Sequence, residues 1–184
     1  REHARSFDSV AQYITRAANL TGRGEAAQVN VTRANATLFD VLRTQAAIGR
    51  TLTLADEPEG APDVIALTDT SWRRRFGTDR SIVGQSVVLD GKPYTVVGVL
   101  PAAFALPDQR QNEPVEGFIP LRPNAGWMGD HNNQAIARLR PGVTLELLHL
   151  EYLEKHPDGY RYTQFCEVYR RWAKRRRLSM RLVH

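Results

Sequence analysis

Ser86-Val87-Val88-Leu89-Asp90-Gly91-Lys92-Pro93-Tyr94-Thr95-Val96-Val97-Gly98-Val99 is the stretch that decides the fold. Two runs rich in β-branched residues flank an Asp-Gly pair. That pair tolerates the positive φ angles of a type I′ turn, whose twist suits two antiparallel strands. The stretch therefore predicts a hairpin of Ser86–Leu89 against Tyr94–Val99, with Pro101 closing the second strand.

The neighbouring segments follow from the hairpin outward. Val64-Ile65-Ala66-Leu67 is a short continuous apolar run, the mark of a strand buried on both faces. Thr68 or Asp69 then caps a helix through Trp72 and Phe76 that stops at Gly77. Further upstream, Gln28 to Arg33 alternates with period two, and Val10 to Ala17 does so loosely, so both read as strands. Thr21-Gly22-Arg23-Gly24 between them is a turn or loop. Asn35 or Thr37 caps a short helix over Leu38 to Leu42, and Gly49 ends it. Downstream, Glu116 to Leu121 predicts a short edge strand ended by prolines. Asn133 to Leu139 predicts another strand, and Pro141-Gly142 a turn. The fold class is α+β, with mixed and antiparallel sheets, short helices and a C-terminal helical tail.

The chain changes character near Leu145. Residues 1–144 hold 16 Lys/Arg against 15 Asp/Glu, whereas residues 145–184 hold 9 against 5. Nearly all of the net charge of +5 is therefore in the tail, which weakens the charge argument for nucleic-acid binding by the body. In the tail the pattern turns helical. Leu147, Leu148, Tyr152 and Leu153 share one face, and Pro157-Asp158-Gly159 breaks the helix. A second helix starts at Thr163 as N-cap and runs through Phe165, Val168, Tyr169 and Trp172. Two regions result: a body, 1–144, and a basic helical tail, 145–184.

Signals for chemistry are sparse. Cys166 is the single cysteine, so no internal disulfide is possible, and it reads as a small buried hydrophobe. The body's histidines are His3 and His131, too few and too far apart for a zinc site. Asp130-His131 reads as surface loop. Gly22-Arg23-Gly24 lacks the third glycine of a dinucleotide fingerprint. The carboxylates read as loop residues without the apolar surroundings that raise a pKa for acid catalysis. No catalytic residue, cofactor-binding residue or metal ligand is assigned. No apolar run approaches the ~20 residues that span a bilayer, and no signal peptide is visible.

Two clusters remain. In Ser71-Trp72-Arg73-Arg74-Arg75-Phe76-Gly77 the two aromatics share a helix face. The arginines form either an anionic contact surface or the solvated side of a helix whose aromatics pack on the hairpin; the second is preferred. In the tail, Arg170, Arg171, Lys174, Arg175, Arg176 and Arg177 suit phosphate contacts, with Tyr160, Tyr162 and Trp172 near enough in sequence to pack or stack. The other reading is an amphipathic helix with a solvated basic end. Any DNA binding by it is expected to be weak and non-specific.

Several ordered blocks give the body a resemblance. They are Asn35 to Leu42 with Gly49-Arg50-Thr51-Leu52, then Val64 to Thr68 with Trp72 to Gly77, and then Ile82-Val83-Gly84-Gln85 with Leu89 to Pro101 and Phe104. Ala137 to Thr144 completes the set. Over roughly residues 5 to 144 the body resembles the MacB-like periplasmic core domain of bacterial ABC-type permeases. The resemblance implies an α+β domain outside the cytoplasmic membrane, between the first two membrane helices of a permease. Such a domain does no chemistry and relays a cytoplasmic ATPase cycle to substrates or to a periplasmic adaptor. Its implied partners are the permease membrane segments, the ATPase subunit and that adaptor. The preceding membrane helix, the later half of the domain and the remaining membrane helices are expected outside this stretch.

The tail has a different resemblance. Leu147-Leu148-His149-Leu150-Glu151-Tyr152, His156 to Tyr162, Phe165 to Trp172 and Ser179-Met180-Arg181 resemble an IstA-type insertion-sequence transposase. In that family the stretch lies in the DNA-binding region before the catalytic core, whose metal-binding carboxylates would lie beyond His184. The two resemblances together imply a chimera joined near Val143-Thr144-Leu145.

Overall fold

The computed structural model describes residues 6–22, 26–106, 114–122 and 134–175. The strands are β1 (Phe7–Thr21), β2 (Ala27–Ala34), β3 (Ile48–Gly49), β4 (Val64–Leu67), β5 (Ser86–Leu89), β6 (Lys92–Val99), β7 (Val115–Pro120) and β8 (Gln134–Leu139). The helices are α1 (Thr37–Val41), α2 (Asp69–Phe76), α3 (Leu145–Lys155) and α4 (Tyr162–Arg175). The chain forms two units. One comprises residues 9–104 and 110–137; the other comprises residues 1–8, 105–109 and 138–184.

In the first unit the hairpin forms as its sequence predicts. Asp90 and Gly91 take φ angles of +49° and +80°, and Leu89 pairs with Lys92 across the turn. The hairpin is one side of a hydrogen-bonded ring. The strands follow the order β2-β7-β4-β6-β5-β1, and β1 pairs again with β2. The sheet is mixed: β2 with β7 and β4 with β6 are parallel, and the other ring pairs are antiparallel. The ring closes at a short seam, where Leu20 and Thr21 of β1 pair with Leu89 and Val88 of β5.

Inside the ring, Val29, Val31, Ile65, Leu67, Val87, Leu89, Val96 and Ile119 form one buried cluster. Alternation along each strand supplies these residues from one face. The outer face of β7 is covered as well. Phe118 meets Phe39 of α1 edge-on at 5.8 Å and Phe104 at 5.2 Å. Glu116–Leu121 was expected as an edge strand; instead β7 lies between β2 and β4 and all six of its residues are buried. The prolines stop the strand without placing it at an edge, because Pro120 is its last residue and removes a donor only there.

Two local readings are also corrected. α1 ends at Val41, so Gly49 does not end it. Gly49 pairs with Gly98 in a crossing so close that a Cβ on either residue would strike backbone of the other segment. Neither Asn35 nor Thr37 caps α1. The N-cap position is Ala36, whose N–H donates to the Glu57 carboxylate at 2.6 Å. Asn35 instead accepts from the Gln12 N–H, and Thr37 donates to the Val10 carbonyl.

In the second unit α3 begins at Thr144, whose hydroxyl accepts from the Leu147 N–H at 3.3 Å. α4 begins at Tyr162, so Thr163 lies within its first turn and is not the N-cap. The Arg161 carbonyl already accepts from the Phe165 N–H at 2.9 Å. Strand β8 leads into this unit, and the Arg140 N–H donates to the Ser6 carbonyl at 2.9 Å.

Candidate functional site

The arginine triplet of α2 is held by its own fold. Thr68 sits at the N-cap and accepts from the Ser71 N–H, and Gly77 closes the helix in the left-handed conformation. Trp72 is buried in the barrel cluster with Phe76 packed beside it. Its indole N–H donates to the Asp79 carbonyl at 2.8 Å. The aromatics therefore belong to the same core cluster as the hairpin residues Val87 and Val96. The arginines do more than face solvent. Arg73 pairs with Asp69 one turn back at 2.7 Å. Arg74 and Arg75 both reach Glu116 on β7, with Arg75 at 3.2 Å. Burial lowers the Arg75 pKa, and the neighbouring Arg74 charge adds to that.

Glu116 is one of two buried carboxylates among the described residues, its side chain only 6% exposed. The other is Asp56, which accepts two hydrogen bonds from Arg50 at 2.7 and 2.9 Å and others from the Thr53 backbone and hydroxyl. Burial pushes the Asp56 carboxyl up, but the hydrogen bonds from Arg50 and Thr53 outweigh it, so it sits below the usual carboxylate range. The expectation that the carboxylates lie on loops without apolar surroundings fails for Glu116 and Asp56. Both acids are paired with guanidinium groups, Glu116 with Arg74 and Arg75 and Asp56 with Arg50, and for Asp56 that pairing favours the charged form, the opposite of a general acid. One signal for Glu116 was legible, a lone acid in the apolar run Val115-Glu116-Gly117-Phe118-Ile119 with an arginine triplet elsewhere in the chain. Asp56 was hidden by its acidic, proline-rich context. Among the described residues no group of three or more His, Cys, Asp or Glu side chains is placed to hold a metal ion. Asp130-His131 and His3 lie outside the described residues.

The basic cluster of the tail is placed only in part. Arg170 and Arg171 are exposed on α4, and Arg171 pairs with Glu167 one turn back at 2.8 Å. Lys174 and Arg175 occupy the last turn of α4 by backbone, and Arg176 and Arg177 lie outside the described residues. Tyr160 and Tyr162 are both 45% exposed and also pack. Tyr160 stacks on Tyr152 at 6.2 Å, and Tyr162 meets His149 edge-on at 5.4 Å.

The centre of the helical hairpin is His149, which sequence reasoning passed over. It is buried and lies 5.1 Å from the Phe165 ring, while Tyr152 lies 5.3 Å from the same ring. Its Nε2–H donates to the Tyr160 carbonyl at 2.7 Å. The inner face of α3 thus includes His149 and Tyr152, three apart, and the exposed C-cap residue His156 lies 5.0 Å from the Tyr152 ring. Leu147, expected on that face, is exposed. Aromatic stacking onto α4 selects this face over the leucine face. Cys166 is buried as expected, and its contact with the Tyr162 hydroxyl pushes the Tyr162 phenol up.

Residues 1–149 match the family of the MacB-like periplasmic core domain. The fold is similar to the periplasmic region of MacB from Actinobacillus actinomycetemcomitans, with a TM-score of 0.60, 15% identity, and coverage of 84% of this chain and 68% of that one. It is also similar to the extracellular domain of the noncanonic ABC-type transporter YknZ from Gram-positive bacteria, with a TM-score of 0.54, 18% identity, and coverage of 83% and 78%. A separate kind of likeness is short and close. A stretch of 47 residues is 55% identical to a putative transposase for insertion sequence IS408 of Burkholderia multivorans, covering 24% of this chain. A 47-residue stretch is likewise 55% identical to a putative transposase for insertion sequence IS1162 of Pseudomonas fluorescens. The chain spans only 9% and 8% of the length of these two relatives. Among the described residues no helix is long and apolar enough to cross a membrane.

Proposed function

The chain belongs to the MacB-like periplasmic core domain family, and on that premise we propose that its barrel is a non-catalytic, extracytoplasmic part of an ABC-type permease. Its work there is mechanical: it passes the ATPase cycle on to a substrate or a periplasmic adaptor. The observation that carries this reading is the family match over residues 1–149 together with a fold in which the two acids buried among the described residues, Glu116 and Asp56, are both tied to arginines. A domain whose Glu116 and Asp56 are locked in ion pairs is suited to holding shape under load rather than to moving protons. The partners are the permease membrane segments, the ATPase subunit and the adaptor. Affinity capture of the tagged full chain from bacterial membranes tests it. Recovery of a permease or its ATPase supports the reading, and a chain that purifies free of both overturns it.

We further propose that the barrel is a partial MacB-like domain joined, near Val143-Thr144-Leu145, to a transposase remnant that supplies α3 and α4. The close likeness of a short stretch to transposases supports this. Sequencing single DNA molecules across the codons for Arg140 to Leu150 tests it. Transposase coding sequence downstream of a permease start supports the join, and an uninterrupted permease gene overturns it.

A second reading has its own observation. Arg170 and Arg171 are exposed on a helix of the tail, in a chain with a transposase-like stretch. In this reading the tail retains weak, sequence-independent affinity for duplex DNA through phosphate contacts. Reversing Arg170, Arg171, Lys174 and Arg175 to Glu abolishes a salt-sensitive gel shift if it holds. An unchanged shift assigns the binding elsewhere.

A further inference from the structure

The side of α3 turned away from α4 mixes apolar surface with acid. Leu147 and Leu150 are 40% and 55% exposed, and Glu146 and Glu154 are exposed with them. Leu147, Leu150 and Glu154 follow one another at helical spacing and share one face. It lies opposite the face of His149 and Tyr152, which stack on Phe165. The Glu154 carboxylate has no hydrogen bond or ion pair among the described residues. Along its length α3 sets Glu146, Glu151 and Glu154 against Lys155 alone. A helix face of this kind suits a partner that brings apolar side chains flanked by cations.

α4 carries that complement on its own outer side. Val168 is 44% exposed, and Arg171, one turn on, is exposed on the same face. Arg171 pairs with Glu167, but the two side chains are 64% and 67% exposed, so the pair contributes little and exchanges readily. Glu167 is also the one acid of α4, set against Arg170, Arg171, Lys174 and Arg175. Matching one of these cations leaves the helix strongly basic. The inner sides of both helices are taken up by the aromatic stack between them, so the two outer faces point away from each other and do not meet within one chain. Between two copies they can. Placing α3 on α3 sets acid against acid, a repulsive arrangement. Placing α3 on α4 sets Leu147 and Leu150 on Val168 and the acids on the arginines.

We propose that the outer face of α3 docks on the outer face of α4 of a second copy of this chain. The contact joins two different surfaces, so it leaves one free face at each end and builds open-ended oligomers. It concerns the helical hairpin alone and is independent of the transport reading of the barrel. Sedimentation velocity of the full chain over a concentration series tests it. The weight-average sedimentation coefficient is expected to rise with concentration past that of a dimer, and to fall with added salt as the facing charges are screened. Glu154→Arg and Arg171→Glu are each expected to weaken association about tenfold, because each sets like charges against each other. Their equimolar mixture is expected to recover the association of the parent, since each variant then meets opposite charge at both of its contacts. L147A/L150A is expected to weaken association about tenfold with the salt dependence kept, through lost apolar contact. If Arg171→Glu unravels α4, Glu154→Arg still decides the matter from the other helix. Association insensitive to Glu154→Arg overturns the proposal, as does a mixture no stronger than its parts when both variants keep their helical circular dichroism. A parent chain that stays monomeric at its highest soluble concentration overturns it too, and if that monomer shifts duplex DNA through Arg171, the basic face belongs to nucleic acid instead.

Discussion

The barrel and the α3–α4 hairpin are stabilised by different physics. The barrel joins residues far apart in sequence. Thr68 donates to the Val115 carbonyl, Phe39 packs on Phe118, and Leu20 pairs with Leu89. The helical hairpin is local, its central hydrogen bond linking His149 to Tyr160 eleven residues away. Five of the seven large hydrophobics that stand exposed among the described residues are in it: Leu147, Leu150, Tyr160, Tyr162 and Val168. An element that leaves so much apolar surface uncovered gains little from burial and opens at low free energy. The barrel, by contrast, is expected to open cooperatively, since each ring strand is paired on two sides and its contacts are non-local.

The harshest test of that contrast is Gly98→Val. A side chain there strikes the Arg50 and Ile48 backbone, and backbone cannot move aside as a rotamer can. The expected loss is about 4 kcal/mol or more, read by urea denaturation, or outright failure to fold. A variant that melts like the parent would mean that the β3–β6 crossing is not needed for the ring. Next in size is R74A/R75A. It leaves the buried Glu116 without either guanidinium partner, a loss that costs about 3 kcal/mol. If the double variant loses less than about 1 kcal/mol, Glu116 is solvated in practice and the α2 arginines belong to a contact surface after all.

The legibility of the sequence follows the same divide. Some local signals were read correctly, although the caps expected at Asn35 or Thr37 and at Thr163 were not. Asp90-Gly91 requires positive φ and fixed the hairpin, Thr68 and Gly77 bounded α2, and the run Val64–Leu67 gave a buried strand. What sequence left hidden was pairing. Prolines near β7 suggested an edge, because nothing in Glu116–Leu121 says which strands lie on either side. Gly49 looked like a helix stop because its close approach to Gly98 is a contact across about fifty residues. Glu116 escaped for the same reason, since its arginine partners lie about forty residues away, whereas Asp56 pairs with Arg50 only six residues back and was hidden by its acidic, proline-rich context. In the tail, helical periodicity was plain but the face was not. Leucines outrank histidine on hydrophobicity, and only the aromatic partners on α4 reverse that order.

His149→Ala separates the two regions directly. It removes the ring between Tyr152, Tyr162 and Phe165 and leaves the Tyr160 carbonyl without its donor. A loss of about 2 kcal/mol is expected, local to the hairpin. Hydrogen exchange should show faster exchange throughout α3 and α4 while amides of β4, β6 and β7 keep their protection. Equal loss of protection in the barrel would erase the contrast and make the chain one cooperative unit.

The smallest effects compare two ion pairs, one in each region. Asp56 is buried and held below its ordinary value of 3.8. The stability it lends is therefore complete above that value and falls away as pH drops through the lower folded-state value, because the unfolded chain takes up the proton first. Asp56→Asn should cost about 1.5 kcal/mol at neutral pH, in line with a lost charge-assisted hydrogen bond. It should also flatten the acid limb of the stability curve. Glu167 faces Arg171 in the open, one turn apart on α4. Its side chain stays hydrated in both states, so Glu167→Gln should cost no more than about 0.3 kcal/mol, shrinking with added salt. A larger effect from Glu167 than from Asp56 would show that the tail helix, with its flanking arginines, depends on charge more than the barrel does. Self-repulsion within the basic end, rather than thin burial, would then be what limits the stability of the hairpin.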